Sequence, residues 1–174
     1  MQKNISIICN SRDFAKQVAA ILAERLEMQY LDLFDMMLFD DKPYTFSQIL
    51  ELRGEAGVRA HEKSAIKYAC DFSNTLIICE VGAIEDEENI KRLHQNSIII
   101  YLHCTPKRVY DYLQNQPYES DAERDFFAKS KKVVDMRISL CKQNCDIMVG
   151  CSPKSPIVVA STAIRYLKEY AENL

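Results

Sequence analysis

The chain has 174 residues, of which 48% are hydrophobic and 27% charged, and carries a net charge of −3. That is enough for one domain with a full core, spanning 1–174. The acidic balance argues against a nucleic-acid role, so a basic cluster such as Lys129, Lys131 and Lys132 reads as a solvated helix face. No apolar run approaches the ~18 residues of a membrane span, and no signal peptide is read at the start.

The chain opens with strand, turn, helix, strand. Asn4–Cys9 is a β-rich apolar run, and Asn10-Ser11-Arg12-Asp13 is a turn rich in N-cap candidates. Phe14–Glu27 carries Val18, Ile21, Leu22 and Leu26 at helical spacing, and Gln29–Asp32 returns as a strand. Leu33–Asp41 reads as a helical segment ended by Pro43-Tyr44-Thr45. Ser47–Leu52 is a short helix with Thr45 near its cap; Gly54 interrupts it, and Glu55–Phe72 is a long helix. Thr75–Cys79 is a third strand, continuously apolar as a two-sided buried strand must be, followed by a loop over Glu80–Ala83. The acidic run Glu85–Glu88 opens a short helix, where carboxylates complement the positive end of the dipole. Ser97–Leu102 is a fourth strand, and Pro106 begins a helix through Leu113. A polar break at Asn115–Ser120 precedes one long helix over Asp121–Asn144, a fifth strand over Asp146–Val149, and a last helix from Ser155-Pro156 to near Asn173. Strands alternating with helices predict right-handed βαβ units, a single parallel sheet and helices on both faces.

There are seven cysteines and no C-x-x-C. Cys9, Cys79 and Cys104 lie in or beside apolar strands, where a thiol behaves as a small hydrophobe. Cys141, Cys145 and Cys151 show no metal spacing with each other, nor with His94 or His103. Free thiols in a reducing cytoplasm, with no metal site, is the simpler reading.

The first strand–helix connection is where an α/β protein places a phosphate loop, because the helix N-terminus offers free N–H groups. Such a loop needs G-x-x-x-x-G-K-[ST]. Cys9–Gln17 has no glycine; Ala15 stands at the lysine position and Lys16 at the hydroxyl position. An ordinary connection is the favoured reading, and a rebuilt anion site of Ser11, Arg12 and Lys16 is the alternative.

Several segments, in one order, carry a family resemblance. Ile21–Leu26 with Tyr30-Leu31-Asp32, Gly54–Glu62 (GEAGVRAHE), Glu80–Ala83, Tyr101–Pro106 and Arg137–Asp146 (RISLCKQNCD) together resemble the shikimate kinases, small P-loop kinases of the nucleoside-monophosphate-kinase fold. The resemblance spans nearly the whole chain and implies a three-layer α/β/α domain. Its five-stranded parallel sheet has the order 2-3-1-4-5, with a lid-like segment near 115–125. It implies that Arg59 and Arg137 grip a substrate carboxylate, as the planar guanidinium fork suits, while Gly82 remains of a triple glycine for close backbone approach.

The catalytic pair implied by the resemblance is a D-x-D after the second strand, its first Asp near Mg²⁺ and its second on the reacting hydroxyl. Asp32 matches the first; Phe34 occupies the second position, with Asp35 one residue late and turned by about 100° on a helix. The family's lid arginine is replaced in Gln116-Pro117-Tyr118-Glu119, leaving Arg124 as a substitute. Phosphoryl transfer is mostly positioning and charge stabilisation, so these losses remove most of the machinery. The sequence therefore reads as a degenerate, pseudokinase member with no cofactor, keeping a pocket for a small carboxylate ligand. The alternative is an active ATP- and Mg²⁺-dependent kinase of shikimate or a similar hydroxy acid, with an unconventional nucleotide site. Nothing in the sequence names a protein partner.

Overall fold

A computed structural model describes residues 3–37 and 45–173. The sheet is assembled from five strands: β1 (Asn4–Cys9), β2 (Gln29–Asp32), β3 (Thr75–Glu80), β4 (Ser97–His103) and β5 (Ile147–Gly150). All pairings are parallel and the spatial order is β2-β3-β1-β4-β5, as the resemblance implied. The central place of β1 follows from its composition. Every residue from Asn4 to Cys9 is buried, and only a strand covered on both faces and both edges removes that much apolar surface from water.

The pleat of β1 divides the core in two. Ile5, Ile7 and Cys9 face α1 (Arg12–Leu26) and α8 (Pro156–Glu172), meeting Val18, Leu22, Val159 and Ala163. Ile8, with Ile77, Ile99 and Tyr101, faces the opposite layer, where α3 (Phe46–Ala69) contributes Ala65, Ile66 and Ala69, α4 (Glu87–Asn96) Leu93 and α7 (Val134–Asn144) Cys141. Buried polar groups lock the strand ends. Asn4 Nδ2 donates to the Phe72 carbonyl at 2.8 Å, and its Oδ1 accepts from the Thr75 amide at 2.9 Å. Asp146 accepts from the Ile99 amide at 2.8 Å.

Helix boundaries follow local chemistry. Thr45 caps α3 through a reciprocal capping box with Gln48. Gly54 (φ 64°, ψ −169°) breaks α3 where the sequence placed the break, so two helical segments run on at an angle. After β4, α5 (Pro106–Gln114) begins on its proline. Two boundaries differ from the sequence reading, and a third is described only in part. The segment 121–144 is two helices, α6 (Asp121–Lys132) and α7, separated at Val133, whose φ −110° and ψ 9° leave the helical region. Residues 81–85 form a 3₁₀ turn rather than an open loop. The helix expected over Leu33–Asp41 is seen as α2 (Leu33–Met37); its remainder, and the break at Pro43-Tyr44, lie outside the described residues. All seven cysteines are free thiols, five of them buried.

A satellite cluster stands apart from the two main cores: Ile49, Leu50 and Val58 of α3 with Phe46, Ala122 and Phe126. It joins the first segment of α3 to α6 above the carboxyl ends of the strands. Gly54 sets that junction. An added Cβ at Gly54 meets nothing within 4 Å, so the cost of a side chain there is backbone strain alone. Gly54→Ala is expected to lower stability by about 1–3 kcal/mol, read as a lower urea midpoint with an unchanged m-value.

Candidate functional site

A cavity of about 180 Å³ opens at the carboxyl edge of the sheet, between the ends of β1 and β3 and the roof made by α3 and α6. This is where open α/β sheets bind ligands. One side is apolar: Phe34, Phe46, Phe126, Phe127 and Val58 line it. Phe46 packs edge-on against Phe126, with ring centroids 5.3 Å apart. The other side is charged, and three arginines reach it.

Arg59 sits in the second segment of α3, one turn past the kink. Its Nη1 donates to Glu62 at 3.1 Å, and its Nη2 lies 3.6 Å from Glu55. The guanidinium rests on Gly82: an added Cβ there would collide with it, so glycine is what permits the contact. Arg59 Nη2 is buried without a hydrogen-bond partner. Arg137, on the first turns of α7, is buried and donates through Nε to Glu85. Arg59, Arg137 and Gly82 thus border one cavity.

Arg12, on the first turn of α1, reaches the cavity from the opposite side and lies over the Phe34 ring at 4.1 Å. Its Nη2 donates to Asp32 at 2.9 Å and to Asp35. Lys16, one turn on, places Nζ 3.2 Å from Asp32 and 3.1 Å from Asp35. Two carboxylates and two cations therefore neutralise one another in a closed quartet. Burial works against Asp35's charge, but hydrogen bonds from Lys16 and the charge of Arg12 hold its carboxyl below the usual range. Asp35 is half exposed and does not line the cavity; Phe34, one residue earlier, does. Ser11 is the N-cap of α1 but makes no side-chain cap bond, and it borders a separate surface recess with Cys104 and Arg108. Arg124 does not reach the cavity; it pairs with Asp121 at 2.8 Å on the outer face of α6.

Three carboxylates of the site escaped the sequence reading. Glu62 and Glu85 supply the counter-charges of the two arginines. The i,i+3 spacing of Arg59 and Glu62 was a legible signal; Glu85, hidden in an acidic run that reads as a helix start, was not. In that run Asp86 is the residue that caps α4, accepting from the Glu88 and Asn89 amides. The third is Glu80, the last residue of β3. Glu80 lines the cavity, and among the described residues its carboxylate accepts no hydrogen bond and has its nearest cation, Arg12 Nε, at 3.6 Å. Arg12 Nε is itself buried without a hydrogen-bond partner. Burial raises the Glu80 carboxyl to about 7, against the opposing charge of Arg12. Burial likewise raises Glu62, opposed by Arg59.

A five-stranded parallel sheet in this order, with a strand–turn–helix at its centre and a cavity over the carboxyl edge, defines the P-loop kinase fold. A family model described as shikimate kinase matches residues 16–168, and the chain belongs to the shikimate kinase family. It is similar to the shikimate kinase of Alkaliphilus oremlandii, 29% identical over 174 residues and covering 100% of both chains. It is also similar to that of Caldicellulosiruptor saccharolyticus, 25% identical over 150 residues, with 84% of this chain and 85% of that one covered. Among solved structures, shikimate kinase from Acinetobacter baumannii in complex with shikimate superposes with a TM-score of 0.81 at 19% identity, covering 97% of this chain and 94% of that chain.

The raised Glu80 carboxyl has a thermodynamic signature. A carboxyl whose folded pKa exceeds its unfolded value keeps a proton that the unfolded chain has lost, so stability falls as pH rises from about 4.5 through about 7. Glu80→Gln removes that penalty. The variant is expected to be about 1–2 kcal/mol more stable than the parent at pH 8 and no more stable at pH 4, measured by urea unfolding at both pH values.

Proposed function

We propose that this protein binds a small carboxylate-bearing ligand of the shikimate type in the cavity between Arg59, Arg137 and Gly82, and that it has given up phosphoryl transfer. The observation that carries the reading is the convergence of two guanidinium groups on one cavity, one of them seated on a glycine that only close approach explains. Arg59 keeps a buried Nη2 without a hydrogen-bond partner, a donor that an entering carboxylate satisfies. The apolar wall of Phe46, Phe126 and Val58 suits the carbon ring of such a ligand.

ATP with Mg²⁺ does not fit the loop as it is built. The turn after β1 has no glycine to bend around phosphates, and both cations beside it, Arg12 and Lys16, are held by Asp32 and Asp35. A metal at Asp32 would have to displace an ammonium and a guanidinium already within 3.2 Å. No step through nucleotide or metal is therefore derived. Membership of a family whose relatives are named shikimate kinase favours a second reading, an active kinase in which Ser11, Arg12 and Lys16 hold the phosphates once the quartet opens.

Calorimetric titration with shikimate, then with ATP and Mg²⁺, separates the two. The proposal expects shikimate to bind and ATP–Mg²⁺ not to, with no phosphorylated product after prolonged incubation of all three. Turnover of shikimate in that mixture would establish the second reading instead. Arg137→Ala is expected to weaken shikimate binding by about 2–5 kcal/mol, and Gly82→Ala to weaken it by pushing the Arg59 guanidinium aside.

A further inference from the structure

The charges around the cavity are unusual for a place that takes an anion. Arg12, Arg59 and Arg137 line it, but each already faces carboxylates: Asp32 and Asp35 for the first, Glu62 for the second, Glu85 for the third. Asp13 and Glu80 line it besides. Even with Lys16 included, five carboxylates and a sixth at Asp13 surround four cations. An added anion meets a site that is net negative unless some carboxyl gives up its charge.

The carboxylates differ in how they are held. Asp32 and Asp35 each have two cationic partners, Glu85 has Arg137, and Glu62 has Arg59. Among the described residues Glu80 and Asp13 accept no side-chain hydrogen bond; Asp13 is exposed to water, whereas Glu80 is partly buried and has Arg12 Nε at 3.6 Å, too distant to give one. From α1 it faces Arg12, from β2 Asp32, and from α3 both Arg59 and Glu62. Across the cavity stand Tyr112 of α5, which burial and Glu80's own charge help keep protonated, and Arg137 of α7. Two carboxylates among these neighbours oppose its ionisation, and the arginines that favour it are engaged elsewhere.

We propose that Glu80 makes ligand binding at this cavity proton-linked: a carboxylate ligand enters together with a proton that settles on Glu80. The inference rests on the proposed carboxylate pocket and adds its regulation. The proton comes from buffer and goes to a Glu80 carboxylate oxygen; no other bond changes. Protonated, Glu80 ceases to repel the incoming carboxylate and its O–H becomes a donor towards it. The neutral side chain also releases Arg12 Nε from its only charged neighbour on that side. Binding of the same ligand then strengthens as pH falls through neutrality, and levels off once Glu80 is already protonated in the free protein.

The test is calorimetry of shikimate binding to the intact protein at pH 6 and pH 8, each in two buffers of different ionisation enthalpy. The expected result is uptake of roughly one proton per shikimate at pH 8, little at pH 6, and an affinity that falls about tenfold per pH unit above neutrality. Glu80→Gln is expected to bind with no uptake at pH 8 and a flat pH profile. Buffer-independent heats for the parent at pH 8 would overturn the proposal without any variant. So would uptake that persists in Glu80→Gln, which assigns the proton to Glu62, and in either case the carboxylate pocket itself would stand. Absence of shikimate binding to either protein at both pH values would overturn the pocket and the proton link together.

Discussion

The site depends on one close contact, the Arg59 guanidinium lying against the backbone of Gly82. That contact fixes where the cation sits, and everything nearby is arranged to sustain it. Glu62, one turn on, binds the inner edge of the guanidinium; Glu55 approaches the outer edge; Phe126 stands 5.8 Å from it on the α6 side. A planar cation held this way loses little further freedom when a ligand arrives, because its orientation is already set. Arg137 is preorganised by the same means from another helix, with Glu85 as its brace. The charge that the two braces bring, added to Glu80 and Asp13, is what turns an apparently basic pocket into a net negative one.

At the other end of the cavity the same principle has been applied to opposite effect. Arg12 and Lys16 are braced so completely by Asp32 and Asp35 that little of their field reaches the turn after β1. The difference lies in geometry. Arg59 lines the cavity and keeps one buried nitrogen without a hydrogen bond, whereas Lys16 spends its ammonium on two carboxylates and does not line the cavity at all. A family fold can thus keep one half of its binding surface available while the other half closes on itself.

The five strands were legible because each is a short apolar run bounded by turn residues, and the order of the sheet came with the family resemblance. The kink at Gly54 was legible as well, since glycine in a helical pattern has few other uses. The division at Val133 was not: no glycine or proline marks it, and the residues on either side keep good helical spacing, so only tertiary packing of α6 on α3 and α7 on the sheet reveals it. Of the site, Arg59, Arg137 and Gly82 were singled out by the family resemblance, and all three line the cavity, whereas Asp35, one residue late in its motif, does not. Glu80 was passed over as part of a loop. Its significance comes from lost solvent and from neighbours about 20 to 70 residues away in the chain, and no local pattern encodes either.

The kink at Gly54 also divides α3 mechanically. The segment before it buries Ile49 and Leu50 only in the satellite cluster with Phe126, whereas the segment after it anchors Ala65, Ile66 and Ala69 in the main core. The first segment places no residue in the main core and shares the satellite cluster with Val58 of the second, so it is the cheaper of the two to open. The aromatic roof can lift with the first segment while Arg59, on the second, stays on the sheet. A ligand the size of the cavity then has a way in that leaves the cation's position undisturbed.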